Sequence, residues 1–432
     1  MRDNVLSQVE VLAGSVARWF RIGTLSTLVV IGVAPSLRSP VAAILIAVLG
    51  ATAFLMTLAR SDIIKVCGIC LLSMLMVNQL ASPLAVPYVE KNALKTLSPK
   101  YAMQFDVVSN PNVGIKATRQ ITTDAMGFRA SPPIDYLHKP HDVYRIFAIG
   151  ASTTEQISLD DEGTWTHLLQ ERLASAAGMR IEVVNTGLSG LRAAHHLATF
   201  RHILPYSPDA VLFLFGINDW NRHIRETMDK WYQWRQVWTA MNFQNTLLGT
   251  VTLAKWSRHT PERPKKNTDL GKVRQELGEA RARRDDSLNS RPVRHFPGHI
   301  RVSNAYSEIV QELMEACHQS KVRCVFVTQP TGYSLAAEES LKKRFWMTPS
   351  HEKYTLPLEE LIQFADAYNS FLVRSAAANG FPVCDIASQI PPTTEFFDDD
   401  CHYSEVGTQR VAKLLSDCFQ QQSVPGLQKV PE

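Results

Sequence analysis

The chain has 432 residues, of which 45% are hydrophobic and 20% are charged, and its formal net charge is +4. This length allows one large domain with an appendage, or two domains, and the composition can form a packed core. The net charge is small, and the basic residues are scattered apart from one local cluster, so nothing favours a protein that binds nucleic acid. We therefore expect no nucleic-acid partner.

The first ninety residues differ from the rest in their apolar content. Apolar stretches cover residues 22–37, 40–59 and 66–86. The second and third approach the ~20 residues that a helix needs to cross a bilayer, whereas the first is short. Three successive segments do not fit a single cleaved signal peptide, although a buried soluble hairpin is an alternative. Residues 1–90 are predicted to be a membrane anchor of three transmembrane helices. An anchor with only two transmembrane helices is the alternative.

Basic residues flank these segments unevenly. Only Arg38 separates the first segment from the second, whereas the other flanks carry Arg2, Arg18, Arg21, Arg60 and Lys65. Because cytoplasmic loops are enriched in Lys and Arg, three crossings place the chain after about residue 88 outside the cytoplasm. The prediction is a multi-pass protein of the bacterial inner membrane with a periplasmic or extracellular domain. If the first segment only lies in the interface, that domain is cytoplasmic.

The remainder alternates between strand-like and helix-like patterns after a linker at residues 91–142 that packs on the domain. The candidate strands are residues 144–149, 181–185, 210–215, 323–328 and 381–384. The candidate helices are residues 165–177, 193–204, 302–319, 358–378 and 406–419. This alternation predicts an α/β domain at residues 143–424 with a parallel sheet covered on both faces, followed by a tail at residues 425–432.

Residues 221–300 interrupt the alternation with an aromatic stretch, "KWYQWRQVW", and a long charged segment. One interpretation is a solvated helical insertion with flexible joints. The alternative is a substrate-facing lid in which Trp231, Trp234 and Trp238 stack on sugar rings.

The seven cysteines show no paired metal-ligand spacing. Cys67 and Cys70 lie in the third apolar segment, and an odd total argues against a full disulfide framework. The sequence allows one disulfide among Cys324, Cys384, Cys401 and Cys418 and does not assign its pair. His195 and His196 are adjacent and should point to different helix faces, so no histidine pair suggests a metal, and no glycine-rich loop suggests a phosphate-bearing cofactor.

Polar residues follow the candidate strands at the edge where α/β proteins bind ligands. Ser152 ends "IGAS" after the first strand, Gly190 ends "NTGLSG" after the second, and Asn218 lies in "GINDW" after the third. Asp399 and His402 share "DDDCHYSEVG" before the last helix. Each has an ordinary reading as a helix cap, a turn or a solvated loop. Together they offer a nucleophile, a base, a group that orients the base, and oxyanion donors.

The four blocks "IGASTT", "VVNTGLSG", "FGIND" and "DDDCHYSEVG" resemble, in this order, those of the SGNH hydrolases, also called GDSL-type esterases and acylhydrolases. The resemblance implies a flavodoxin-like, doubly wound parallel sheet of five strands. It also implies that Ser152 is the nucleophile, His402 the base and Asp399 the residue that orients the imidazole. The N–H groups of Ser152 and Gly190 and the Asn218 amide would then form the oxyanion hole.

One position departs from the family pattern, because Gly-Ala-Ser replaces the usual Gly-Asp-Ser. Ala151 removes a carboxylate that is not part of the triad, so we expect altered local hydrogen bonding and retained catalysis. The segment also lacks the second glycine of the G-x-S-x-G elbow, which disfavours an α/β-hydrolase.

The resemblance and the predicted location together suggest a membrane-anchored serine esterase. Its substrate would be O-acyl, and specifically acetyl, esters of an extracytoplasmic glycan, with the bilayer as its other partner. The alternatives are an O-acyltransferase with the same triad, a lipid-ester hydrolase, and a non-catalytic glycan-binding protein. No metal or organic cofactor is expected.

Overall fold

The computed structural model describes the chain between residues 90 and 421, with gaps. The described residues are 90–97, 99–100, 102–106, 118–129, 134–176, 179–229, 232, 292–345, 352 and 354–421. The predicted membrane segments at residues 22–86 lie outside these ranges. Within the described ranges, no helix is both long enough and apolar enough to span a bilayer.

The strands and helices of the described part follow the predicted alternation. The strands are β1 (Ala102–Asp106), β2 (Thr118–Thr122), β3 (Val143–Gly150), β4 (Arg180–Asn185), β5 (Ala210–Leu214), β6 (Arg323–Val327) and β7 (Val383–Cys384). The helices are α1 (Ser152–Glu155), α2 (Trp165–Ala176), α3 (Ala193–Ile203), α4 (Ile217–Met228), α5 (Asn304–Ser320), α6 (Glu339–Lys342), α7 (Leu358–Ala378) and α8 (Glu405–Gln421).

The central sheet has the order β4-β3-β5-β6-β7, and every neighbouring pair is parallel. The prediction of a parallel sheet of five strands is therefore confirmed. This order is the flavodoxin-like one, in which the chain reverses its direction across the sheet beside the first central strand. Loops that follow β3, β4 and β5 consequently meet at one edge, next to the switch in strand order.

Two layers of helices cover the sheet, and successive strand residues alternate between them. Phe147 and Phe213 pack with α3, α4, α5 and α7 on one face. Ile146 and Leu212 pack with α2 and α8 on the other face. Because both faces are covered, all eight residues of β3 are buried, which explains its nearly continuous apolar sequence.

The predicted linker at residues 91–142 is more structured than its sequence pattern indicates. β1 and β2 pair as an antiparallel hairpin. Further along, the Arg129 N–H donates to the Asn185 carbonyl at 3.1 Å, so this segment adds a bridge to the edge strand β4. Phe128 and Arg129 are both buried. The segment therefore forms part of the domain's packing.

The first residues of the predicted insertion, from residue 221, lie in helix α4. Helix α4 continues to Met228 because Trp220 and Ile224, four residues apart, are buried against the core. The proposed lid residues Trp231, Trp234 and Trp238 lie outside the described residues.

A disulfide joins Cys384 of β7 to Cys418 of α8, 34 residues apart. It is one of the pairings that the sequence left open, and it fastens the two-residue edge strand to the last helix. Cys317, Cys324 and Cys401 are buried and do not form disulfides.

Candidate active site

Ser152 is the first residue of α1, and only Ala151 separates it from the end of β3. The tight turn is closed by the Glu155 N–H, which donates to the Ala151 carbonyl at 2.8 Å, and by the Gln156 N–H, which donates to the Ser152 carbonyl at 2.8 Å. No side chain caps α1. The Ser152 hydroxyl therefore does not serve as a helix cap, and the ordinary reading of this serine does not hold.

The Ser152 hydroxyl instead contacts a histidine 250 residues later in the chain. Ser152 Oγ lies 2.8 Å from His402 Nε2. On the other side of the ring, His402 Nδ1 lies 2.9 Å from both carboxylate oxygens of Asp399. Asp399 is fully buried, and Ser152 and His402 are each 6% exposed. The structure thus brings together the three residues that the sequence predicted as a triad.

The hydrogen-bond partners define which ring nitrogen of His402 carries the hydrogen. An ionised carboxylate can only accept, so Nδ1 must donate to Asp399, and Nε2 is left to accept from the serine hydroxyl. Asp399 Oδ1 also accepts the N–H of Cys401 at 3.0 Å and the N–H of His402 at 2.8 Å. These bonds fix the carboxylate and hence the orientation of the imidazole.

The backbone N–H groups of Ser152 and Gly190 make no hydrogen bond to any described residue. Gly190 has a φ of +80°, in the left-handed region that favours glycine. It is exposed, at the end of the loop that follows β4. Both N–H groups therefore remain able to bind an oxygen of a substrate.

Asn218 lies in the first turn of α4, directly after β5. One N–H of its side-chain amide donates to the Leu191 carbonyl at 2.8 Å, next to Gly190. This bond holds the amide beside the β4 loop and leaves its second N–H for another acceptor. All predicted site residues thus lie on loops or helix starts at the carboxyl edge of the sheet.

The sequence matches the family model of the GDSL-like lipase/acylhydrolase family over residues 148–410. The chain belongs to this family. As a member it is a serine ester hydrolase, and the matched residues include every predicted site residue.

Several solved structures are similar to this esterase at low identity. A lipase/acylhydrolase from Enterococcus faecalis is 15% identical, with 65% of this chain and 96% of that chain covered and a TM-score of 0.34. The psychrotrophic esterase EstA from Pseudoalteromonas sp. is 10% identical, with 64% and 97% covered and a TM-score of 0.35. No curated protein matches the chain.

The esterase holds the β4 loop close to the turn that carries Ser152. A Cβ on Gly187 would lie 2.3 Å from the backbone nitrogen of Glu155, so only glycine allows this approach. Glu155 Oε2 accepts hydrogen bonds from the Ser189 N–H, at 2.7 Å, and from the Ser189 hydroxyl. Glu155 and Gly187 therefore set the position of Gly190 relative to Ser152. The sequence analysis predicted neither role, because neither residue belongs to a reactive type in the family's blocks.

Arg129 also stabilises the turn that carries Ser152, and the sequence analysis did not predict this role. Its guanidinium donates to the carbonyl oxygens of Glu155, Gln156 and Leu159 and to Asp161 Oδ1, the last at 3.1 Å. Only 1% of Arg129 is exposed. The guanidinium thus binds the carbonyl groups at the end of α1, which a four-residue helix leaves without intrahelical partners. A single arginine in a loop-like segment gave no signal of this role.

A network of charges lies beside the oxyanion donors. The Glu90 carboxylate pairs with Arg192, which follows Gly190 by two residues, and with the Arg222 guanidinium at 3.6 Å. Burial raises the pKa of Glu90, against the opposing charge of Arg222. Lys95 Nζ lies 3.0 Å from His195 Nε2, and burial together with this cation lowers the pKa of His195 to about 3. This histidine therefore stays neutral.

Two further titratable groups lie behind the site. Both oxygens of Asp219 accept the Ala193 N–H at 3.2 Å, and burial raises the pKa of this carboxyl to about 8. His196 is fully buried against Phe215, and burial lowers its pKa to about 3. The adjacent histidines thus have different surroundings, as their places on the helix predicted.

Among the described residues, one group could in principle hold a metal ion: Asp399, Cys401 and His402, whose ligand atoms lie within 4.8 Å of one another. The Asp399 oxygens there already accept N–H groups from the ring and backbone of His402. In this arrangement the Asp399 carboxylate is a hydrogen-bond acceptor for the His402 imidazole.

Proposed function

We propose that the protein is a membrane-anchored serine esterase that removes O-acetyl groups from an extracytoplasmic glycan. The observation that carries the catalytic part is the hydrogen-bonded line from Ser152 Oγ through His402 to Asp399, with distances of 2.8 and 2.9 Å. A line of this kind supplies a nucleophile with a base that is already oriented.

In the first half of the reaction, Ser152 Oγ attacks the ester carbonyl carbon while His402 Nε2 takes the hydroxyl proton. The carbonyl oxygen becomes an oxyanion, which the N–H groups of Ser152 and Gly190 and the free Asn218 N–H bind. Each such donor contributes about 3–4 kcal/mol to the stability of the transition state. His402 then gives its proton to the sugar oxygen as the bond between that oxygen and the acyl carbon breaks, so the sugar leaves with a free hydroxyl and the acyl group stays on Ser152.

In the second half, water replaces the sugar. His402 Nε2 removes a proton from the water as its oxygen attacks the acyl carbon, and a second oxyanion forms in the same place. When it collapses, the Ser152 oxygen takes the proton from His402, and acetic acid leaves and ionises to acetate by releasing a proton to the solvent. Asp399 stays ionised throughout and stabilises the imidazolium that forms in each half.

Two features support a location outside the cytoplasm. The first is the predicted set of membrane segments, whose flanking charges favour an exported domain. The second is the Cys384–Cys418 disulfide, because structural disulfides persist in oxidising compartments such as the bacterial periplasm and are rare in the cytoplasm. Surface glycans are the O-acylated polymers that such a domain would meet.

Acetate release tests the proposal. The full-length protein, purified in detergent, should release acetate from O-acetylated xylan or O-acetylated peptidoglycan, and Ser152→Ala should release none. Glycan that gains acetyl groups from an activated acetyl donor, with no free acetate, would indicate an acyltransferase instead. A reporter enzyme fused after residue 95 tests the location of the domain. If a reporter that functions only in the cytoplasm is active in this fusion, the extracytoplasmic substrate is excluded.

A further inference from the structure

A polar groove lies at the carboxyl ends of β6 and β7, beside the candidate active site. Its walls are the loop after β6, the loop after β7 and one side of α7, and it has a volume of about 520 Å³. This volume is in the range of pockets that bind small ligands. We call it the β6–β7 groove, and its lining includes Thr331, Ser334, Asp366, Ser370, Arg374 and Ser388.

The inner end of the groove adjoins the residues that flank the triad. Gln329, on its wall, accepts a hydrogen bond from the Thr153 hydroxyl at 3.4 Å, and Thr153 follows Ser152. Tyr333, also on the wall, donates to Asp400 at 2.8 Å, and Asp400 follows Asp399. The groove is therefore one hydrogen bond away from the neighbours of Ser152 and Asp399, and it lies on the β7 side of the sheet.

One side of α7 gives the groove its length. Asp366, Ser370 and Arg374 are spaced four residues apart and so lie along one face of the helix. Asp366 and Arg374 are eight positions apart, so their backbones are about 12 Å apart along the helix axis. This is longer than a single sugar ring.

The polar groups of this face are open to a ligand. Within the described part of the chain, the side chains of Asp366, Ser370 and Arg374 make no hydrogen bond or ion pair. Partial burial raises the pKa of Asp366, which is consistent with a carboxyl group on a groove wall. A carboxylate accepts from hydroxyl groups, a guanidinium donates to them, and Ser370 can do both.

The charge balance of the groove disfavours anionic ligands. The lining contains two carboxylates, of Asp366 and Asp385, and one guanidinium, of Arg374, so its net charge disfavours a phosphate or another anion. The groove also has apolar lining, which comes from Tyr333, Ala365, Val373, Ala387, Ile390 and Pro392 and lies beside the polar side chains. A chain of neutral sugars, rich in hydroxyl groups, fits both the charges and the polar lining.

We propose that the β6–β7 groove binds the sugar units that flank the acylated sugar, so that this esterase acts preferentially on oligomeric glycan. The inference rests on the proposed function of the same site. The acylated sugar would lie at Ser152, and its neighbours in the polymer would occupy the groove along α7.

Chain-length dependence tests this proposal. The probes are O-acetylated xylo-oligosaccharides and O-acetylated peptidoglycan strands, each as one-sugar and six-sugar fragments. In at least one series, kcat/KM should be about tenfold higher on six sugars than on one, which corresponds to about 1.4 kcal/mol. Rates on one and six sugars that agree within about twofold in both series would overturn the proposal.

A blocking variant assigns the effect to the groove. Ser370→Trp should reduce the preference for six sugars to within about twofold. The matched control is Ala378→Trp, which places the same side chain at an exposed position of α7 outside the groove and should keep the full preference. A preference that Ser370→Trp leaves intact would overturn the proposal.

A binding measurement on an inactive variant distinguishes the contribution of the β6–β7 groove from that of catalysis. Isothermal titration of Ser152→Ala with the six-sugar fragments should show an affinity that drops about tenfold when Ser370→Trp is added. If wild type hydrolyses p-nitrophenyl acetate but shows no chain-length preference, the groove proposal fails and the triad stands. If it hydrolyses no ester at all, the proposed function itself fails.

Discussion

Arg129 is expected to affect both the stability and the catalytic rate, because it binds the turn that carries Ser152. Arg129→Met removes a buried guanidinium from three carbonyl oxygens and from Asp161. Removing one partner from a buried charged network lowers the free energy of unfolding by about 3–5 kcal/mol. That is a large share of the 5–15 kcal/mol typical of a domain, yet it leaves the protein folded at 25 °C if the wild type is above the low end.

The effect on kcat follows from the position of Ser152. Without Arg129 the carbonyl groups at the end of α1 must find new donors, and the turn shifts with them. A displacement of about 1 Å at the reacting atoms can reduce the rate by about 10²-fold. We therefore expect kcat on p-nitrophenyl acetate to fall by roughly this factor, with a smaller change in KM, and Arg129→Lys to restore part of it.

Arg145 provides a control for stability alone. It lies in β3 and is also fully buried, and its guanidinium binds Glu182 and the carbonyl oxygens of Tyr206 and Asp135 near the start of the strand, far from Ser152. Arg145→Met should lower the urea midpoint as Arg129→Met does, while kcat per folded molecule stays at the wild-type value. Equal kcat values for folded Arg129→Met and Arg145→Met would refute this reasoning.

Three other predictions concern separate parts of the structure. Asn218→Ala should lower kcat by about 10²–10³-fold with little change in KM, measured by steady-state kinetics, because it removes an oxyanion donor; an unchanged kcat would remove Asn218 from the site. Replacing Cys384 and Cys418 by serine should lower the free energy of unfolding by about 4 kcal/mol, since the disulfide closes a loop of 34 residues. Urea unfolding measures this, and a reductant should then have no further effect. Burial raises the pKa of Asp219 to about 8, so the folded state holds a proton there that the unfolded state loses near pH 4. The stability from this group is present below pH 4 and falls as the pH rises toward 8, by up to about 1.4 kcal/mol per pH unit. Asp219→Asn should flatten that fall in unfolding curves at pH 5 to 8, and an unchanged slope would contradict the raised pKa.

The fold could be predicted from the sequence because the sheet is covered on both sides. Strands buried on two faces appear as continuous apolar runs, and the intervening helices have a clear helical period, as in α5 and α7. Helix α4 was not predicted because it has a polar sequence around its two buried residues, Trp220 and Ile224.

The hairpin of β1 and β2 was missed for a different reason. Its strands have five residues each, and the segment around them has no regular alternation of polar and apolar residues. The strand-edge bridge at Arg129 depends on tertiary packing against β4, which no local pattern encodes.

The reactive residues of the site could be predicted because their four sequence blocks occur in the order of the family, three of them after strands and the fourth before the last helix. The residues that position these reactive groups could not be predicted from the sequence. Glu155 and Gly187 act through contacts with each other's loops, which are separated by about thirty positions in the chain. Such pairs become visible only when β3 and β4 lie side by side.

The central claim is that Ser152 is the nucleophile activated by His402, and covalent labelling tests it most directly. A fluorophosphonate probe, followed by peptide mass spectrometry, should modify Ser152 in the folded protein. Labelling should be lost in Ser152→Ala and slowed at least about a hundredfold in His402→Ala, because the 2.8 Å contact supplies the base. A folded protein that remains unlabelled, or one labelled at a different serine, would contradict this claim.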